Sequence, residues 1–187
     1  MMNLRQYIKA NIDEHFDGKL PFDVIERKVA KDFTFIDFNI HEENVYFLKE
    51  GIVQVAIQSK KETRVLDFIF PNSFFASYSS LLTAAPSDVR IVSMTECKVE
   101  VINYHQLKAS YQYSLIANKL GRIETEKLYI RRVIREKNLL TKNAEEHYSS
   151  LLNRYPQIIH HIPLKEISKY LAITPESLSR IRKRVIS

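Results

Sequence analysis

The sequence predicts an α+β protein: an N-terminal roll of short β-strands, a long helix, and a C-terminal helix-turn-helix with no β-hairpin wing after its last helix. Three observations carry this prediction. Short β-rich runs parted by turn residues occupy residues 33–102. Apolar residues then recur at alternating helical spacing from Ile116 to Ile134. Near the C-terminus, Thr174-Pro175 separates two apolar-periodic stretches, as an N-cap followed by a residue lacking an N–H does.

The elements follow in order. Leu4, Ile8 and Ile12 place an amphipathic helix over residues 3–16, and Pro21-Phe22 opens a second short helical piece that reaches Lys28. From Phe33 the period changes. Phe33, Phe35, Ile36, Phe38 and Ile40 lead into Val45-Tyr46-Phe47-Leu48. Ile52, Val53, Val55 and Ile57 continue the pattern beyond Gly51, and Lys60-Lys61-Glu62 makes a polar turn. The runs from Val65 to Phe70, at Ile91-Val92 and from Val99 to Ile102 complete a set that suits a sandwich or barrel.

From Tyr104 onward the pattern is helical. Ile116, Leu120, Ile123, Ile130 and Ile134 form a seam in which Lys127 is the polar position. Two readings fit, a dimer seam and a helix packed on its own domain. The length of the run, and its place between two differently composed regions, favour the first. Arg131, Arg132, Arg135 and Lys137 read as a solvated face complementing the helix dipole, with phosphate contacts as the other reading. Residues 141–155 form a further amphipathic helix that Pro156 breaks. The expected division is a β-roll sensor or effector domain over 1–108, a dimerisation helix over 109–138 and a helix-turn-helix domain over 139–187.

Charge is unevenly placed. Residues 1–108 carry 13 Lys/Arg against 15 Asp/Glu, whereas residues 109–187 carry 15 against 7. A basic segment behind a slightly acidic one points to a polyanionic partner for the C-terminal part. The single cysteine, Cys97, excludes an internal disulfide and the paired-cysteine zinc signatures, and it reads as a small core residue. No apolar stretch approaches the length of a bilayer span, and residues 1–16 lack the apolar core of a signal peptide, so a cytoplasmic protein without a membrane partner is expected. His160 and His161 are adjacent and point apart, and His15, His41, His105 and His147 are scattered, so no metal is expected. No phosphate loop, nucleophile elbow or evident carboxylate pair is present, so neither an enzyme nor a cofactor is expected.

The chemistry concentrates in residues 162–187. Pro163 opens a helix with Leu164, Ile167 and Leu171 inward, and Ala172-Ile173 turns the chain. On the helix capped by Thr174, running over 174–186, Leu178, Ile181 and Val185 share one face. Glu176, Arg180 and Lys183 share the opposite face, flanked by Ser177, Ser179 and Arg184. An arginine fork can bond guanine O6 and N7, and a carboxylate can accept from cytosine N4. Ser177, Ser179 and Lys183 can reach phosphate oxygens. An ordinary Glu–Arg surface pair is the competing reading, and the preceding helix-turn, the Thr-Pro cap and the basic composition outweigh it.

The segment Thr174-Pro175-Glu176-Ser177-Leu178-Ser179-Arg180 resembles the recognition helix of the CRP/FNR family of bacterial regulators. The stretch from Tyr155-Pro156 through Ile162-Pro163-Leu164-Lys165-Glu166-Ile167 to Glu176 is similar to a form common in Bacteroidetes members. Upstream, Val45-Tyr46-Phe47-Leu48-Lys49-Glu50-Gly51 resembles a strand-turn of that family's cyclic-nucleotide-binding-like jelly roll, and Cys97-Lys98-Val99-Glu100-Val101-Ile102 resembles its late strand. The resemblance spans nearly the whole chain. It implies a sensor roll, a dimer helix and a helix-turn-helix that contacts double-stranded DNA and RNA polymerase.

Departures from the family are informative. Cyclic-AMP-binding members follow a Pro-Gly turn with a Gly-Glu pair and later an Arg-Ser pair that clamp ribose and phosphate. Here Ala76 and Ser77 replace the first pair, Ser87 replaces the arginine, and Asp88 adds a negative charge. A phosphate needs a cation or converging N–H donors, so no response to cyclic nucleotides is expected and the effector is unknown. One cysteine cannot hold the iron–sulfur cluster of oxygen-sensing members. The turn position usually glycine is Ala172. The sequence thus predicts a homodimeric DNA-binding regulator. The alternative is a ligand-binding or signalling module whose roll does the work without specific DNA binding.

Overall fold

The computed structural model describes residues 2–59, 62–156 and 158–186; Lys60 and Lys61 of the expected polar turn lie outside them. In chain order the elements are α1 (Leu4–Asn11), β1 (Ile25–Val29), β2 (Thr34–Ile36), β3 (Asn44–Glu50), β4 (Val53–Gln58), β5 (Thr63–Ile69), β6 (Ser73–Phe75) and α2 (Tyr78–Thr83). There follow β7 (Val89–Ser93), β8 (Cys97–Asn103), α3 (Tyr104–Ser110), α4 (Leu115–Thr141), α5 (Ala144–Arg154), α6 (Ile158–His161), α7 (Leu164–Leu171) and α8 (Pro175–Ile186). The eight strands form an antiparallel roll of two sheets, ordered β1-β8-β3-β6 and β2-β7-β4-β5. Two compact units result, Met1–Val55 with Phe68–Lys127 and Ala56–Asp67 with Leu128–Ser187. Among the described residues no helix is long and apolar enough to cross a membrane.

Strand β8 lies between β1 and β3, with Val101 opposite both Ile25 and Tyr46. Its side chains alternate between two buried faces. Cys97, Val99 and Val101 take one. Ile102 takes the other and packs with Phe47 of β3, with Leu4, Tyr7 and Ile8 of α1, and with Ala117 and Leu120 of α4. Glu100 shares this second face and is buried, and its carboxylate accepts the Leu4 N–H at 2.6 Å. A buried carboxylate is costly unless it is hydrogen-bonded, and the first turn of a helix offers N–H donors and a favourable dipole. Asn3 completes the cap by accepting the Gln6 N–H at 2.9 Å while Gln6 Oε1 accepts its own N–H.

Tyr7 fastens α1 to α4. Its hydroxyl donates to Glu124 Oε1 at 2.6 Å and accepts from Lys127 Nζ at 2.7 Å, and that ammonium also reaches Glu124 at 2.9 Å. Burial, and then the Glu124 carboxylate, push the Tyr7 phenol up to about 12. Lys127, the polar position of the expected seam, is therefore occupied within its own unit.

Several expectations change. Helix α1 ends at Asn11, short of the expected residue 16. The helical piece from Pro21 to Lys28 is instead a loop leading into β1, which pairs along its whole length with β8. Only Val29 of this edge strand is buried, so its side chains carry no strand-like alternation; the backbone ladder decides its conformation. Strand β6 and helix α2 were not expected. Tyr78-Ser79-Ser80-Leu81-Leu82-Thr83 is too short and too hydroxyl-rich to announce a helix. Finally, Leu120 is not a free seam position, because it lies with Ala117 in the core of its own unit. Of the expected seam, Ile130 and Ile134 are exposed further along α4, at 55% and 44%.

Gly51 has φ +94° between β3 and β4, and a Cβ there would overlap the Glu96 carbonyl and sit 2.5 Å from Cys97 Sγ. Gly51→Ala is expected to cost about 2 kcal/mol or more in urea unfolding, from backbone strain and overpacking together. An unchanged midpoint would show that this turn relaxes freely.

Candidate nucleic-acid interface

In the unit containing the C-terminal helices, α5, α7 and α8 enclose a small core of Tyr148, Leu151, Ile162, Ile167, Leu171, Leu178 and Ile181. Asn143 starts α5 with a reciprocal cap: its Oδ1 accepts the Glu145 and Glu146 N–H groups, and Glu146 accepts the Asn143 N–H at 2.9 Å. Helix α7 buries Ile167, Ser168 and Leu171, and the Ser168 hydroxyl is absorbed by the Lys165 carbonyl at 2.8 Å.

The turn from α7 to α8 rests on Ala172, at φ 58° and ψ 37°. The Ile173 N–H returns to the Ser168 carbonyl at 3.1 Å. Thr174 then caps α8, its Oγ1 accepting the Ser177 N–H and its carbonyl accepting the Leu178 N–H at 3.0 Å. A left-handed residue bearing a Cβ costs about 1 kcal/mol relative to glycine, which matches the glycine usual at this position.

Helix α8 is two-faced. Leu178 is fully buried and Ile181 nearly so, whereas Thr174, Glu176, Ser179, Arg180 and Lys183 are exposed and Ser177 is half-buried. All six expected DNA-contacting residues therefore lie on the cap and solvent side of one helix. The Glu176 carboxyl is held below its ordinary range by a hydrogen bond from its own backbone N–H, then by the Thr174 hydroxyl, with Arg180 adding a smaller attraction. It stays an acceptor at neutral pH. Arg184, on the flank, pairs with Glu145 of α5 at 2.8 Å. Arg135 departs from the solvated face expected for it. It is half-buried, stacks at 4.2 Å on the Tyr170 ring of α7, and reaches the Val65 carbonyl at 3.5 Å.

The four positions expected to mark a degenerate effector pocket differ in burial. Ser77 and Ser87 are buried with their hydroxyls 2.7 Å apart, Ala76 is partly buried, and Asp88 is exposed and accepts from Ser79 Oγ at 3.0 Å. Sequence reasoning missed a group bonded to the Ser77 backbone. Glu42 is buried, and its carboxylate accepts the N–H groups of Glu43 and Asn44 at 3.1 Å and of Ser77 at 3.3 Å. Burial raises its carboxyl above the ordinary value, opposed by those three bonds. Within His41-Glu42-Glu43 it looks like any solvated charge, and nothing in the local pattern singles it out.

Residues 27–114 match the cyclic nucleotide-binding domain family. No curated protein matches the chain by sequence. A transcriptional regulator of the crp/fnr family from Eubacterium rectale is 14% identical, with a TM-score of 0.71 over 98% of this chain and 83% of that one. FixK2 from Bradyrhizobium japonicum is 19% identical, with a TM-score of 0.70 over 87% and 84% of the two chains. The c-di-GMP-responsive global regulator CLP of Xanthomonas campestris is 14% identical, with a TM-score of 0.68 over 87% and 86%. At this identity the likeness is one of fold: a cyclic-nucleotide-binding-type roll, a long helix and a C-terminal helical domain.

The two residues of the turn should respond in opposite directions. Thr174→Ala removes the α8 cap and should cost about 1 kcal/mol. Ala172→Gly relieves the left-handed strain and should stabilise by up to about 1 kcal/mol, less the extra entropy of the unfolded glycine chain. Thermal unfolding of both variants checks this, and a destabilised Ala172→Gly would mean that the alanine side chain is needed where it stands.

Proposed function

We propose that this protein is a DNA-binding transcription regulator of the CRP/FNR type, in the Bacteroidetes form, rather than a catalyst. The observation that carries the reading is α8: a short helix anchored by Leu178 and Ile181 whose opposite face presents a carboxylate, a guanidinium, an ammonium and hydroxyls to solvent. Such a helix fits the major groove, where Glu176 and Arg180 address base edges while Ser177, Ser179 and Lys183 position it on phosphates. Thr174 fixes where the helix starts. The positive balance of residues 109–187 supports a polyanionic partner. The resemblance to the family adds a G·C-containing, TGA-like half-site in inverted repeat, RNA polymerase as a further partner, and a cytoplasmic location. The division into a roll over 1–108, a dimer helix over 109–138 and a DNA-binding domain over 139–187 belongs to the same reading. The roll is unresponsive to cyclic AMP and cyclic GMP.

A homodimer completes the reading. Ile130 and Ile134 are one helical turn apart on α4 and exposed, and Ile123, on the same stripe, is half-buried. Burying an isoleucine side chain is worth about 1.5–3 kcal/mol, so this stripe favours a second copy of the helix. The double variant Ile130→Asp, Ile134→Asp should sediment as a monomer in analytical ultracentrifugation. If it sediments as wild type does, the copies meet elsewhere.

The two groups on α8 should fail differently. Arg180→Ala should cost about 1–3 kcal/mol on the cognate site and little on scrambled DNA. Lys183→Ala should weaken both duplexes alike and make the salt slope shallower by about one unit. Titrations at several salt concentrations separate the cases. Equal losses on both duplexes for Arg180→Ala would reduce that residue to a phosphate clamp. Wild type binding neither duplex at any salt, with or without cell extract, would sink the DNA-binding reading.

A further inference from the structure

The roll contains a cluster of buried polar side chains. Glu42, Ser77, Ser80 and Ser87 are 8%, 1%, 3% and 2% exposed, and they come from three separate segments. Those segments are stitched together locally: Asn39 N–H donates to the Ser87 carbonyl at 2.9 Å, and Ser87 N–H donates to the Ile40 carbonyl at 2.8 Å. Glu42 N–H donates to Ser80 Oγ, which donates in turn to the Ala85 carbonyl at 2.6 Å. Ser87 Oγ contacts both Ser77 Oγ and the Val89 carbonyl at 2.7 Å. At the centre is the Glu42 carboxylate, which accepts three backbone N–H donors from two of the segments.

We infer that Glu42 is a built-in anion: it fills, from within the chain, a donor set that would otherwise be open to an external anion, and so holds residues 77–83 in place without an effector. Three converging N–H groups, that of Ser77 buried and those of Glu43 and Asn44 partly so, need an acceptor, since a buried one left unpaired costs about 1–3 kcal/mol. A negatively charged acceptor is the strongest available. The Ser77 N–H belongs to the segment that, by the resemblance, contacts the effector in cyclic-nucleotide-binding members, and here it already carries a carboxylate. The inference thus deepens the reading of the roll as unresponsive to cyclic nucleotides, and rests on it: loss of the clamp residues is joined by occupation of the donors.

Hydrogen exchange on the full chain, free of DNA, tests this with inorganic phosphate as the probe anion at constant ionic strength. Wild type should show protected amides at 42–44 and 77–83, unchanged by phosphate. Glu42→Ala should exchange at least about tenfold faster in those two segments, with β8 still protected, and phosphate should slow it again. If Glu42→Ala also loses protection in β8, it has lost the fold, and Glu42→Gln, which keeps the shape without the charge, serves in its place: it should exchange faster in the same two segments, and phosphate, excluded by the amide that fills the site, should leave it unchanged. Phosphate slowing exchange in wild type would show that the donors are open, and would overturn the inference. So would unchanged exchange in the variants, or faster exchange in a folded Glu42→Ala that phosphate does not reverse. None of these outcomes touches the DNA titrations, whose failure would be read separately.

Discussion

The hydrogen bond between the Glu100 carboxylate and the Leu4 N–H joins two layers that apolar packing alone would leave free to slide. Strand β8 is buried on both sides, so its one carboxylate on the helix-facing side must find a donor inside the protein. The start of α1 supplies one. Once α1 is seated there, Tyr7 reaches Glu124 and Lys127, and the first half of α4 is fixed in rotation as well as position. Which residues of α4 turn inward, and which remain on its outer stripe, follows from this sequence of contacts. Leu120 is drawn into the core, while Ile130 and Ile134 stay outside.

The C-terminal helices are stabilised differently. Their core is a handful of side chains, too few to make the helices secure by burial alone. Caps therefore matter more: Asn143 and Glu146 close the start of α5, and Thr174 closes the start of α8. Each is worth as much as a substantial part of a buried methylene pair. The same economy explains why a single buried face, Leu178 and Ile181, suffices to orient the polar face of α8.

What the sequence disclosed, and what it did not, divides along physical lines. Strands β3, β4, β5 and β8 were legible because each alternates or runs apolar between turn residues. The faces of α8 were legible because a helix converts spacing into direction with little help from the rest of the fold. Strand β1 was not: Ile25, Glu26, Arg27 and Lys28 are exposed, and only a ladder to residues far along the chain makes them a strand. Glu42 was not, because a carboxylate between a histidine and another glutamate carries no local sign of burial; three N–H groups, one of them on Ser77, give it meaning. Arg135 was misjudged for the same reason, since its neighbours Val65 and Tyr170 are distant in sequence. Patterns that depend on the period of one element are readable, and those that depend on the meeting of several are not.

The position of Lys127 has a consequence for symmetry. Along a twofold axis each residue near the axis meets its own copy, so an unpaired lysine on the outer stripe of α4 would face an identical positive charge. Like charges brought together this way oppose association, and the opposition grows as water is excluded. In this chain the Lys127 ammonium is matched by Glu124 one turn earlier on the same helix and held by the Tyr7 hydroxyl. In the proposed homodimer each copy would therefore arrive at the axis carrying a pair close to electrical neutrality, and a second α4 could approach without the two ammonium groups having to lose their protons or swing aside.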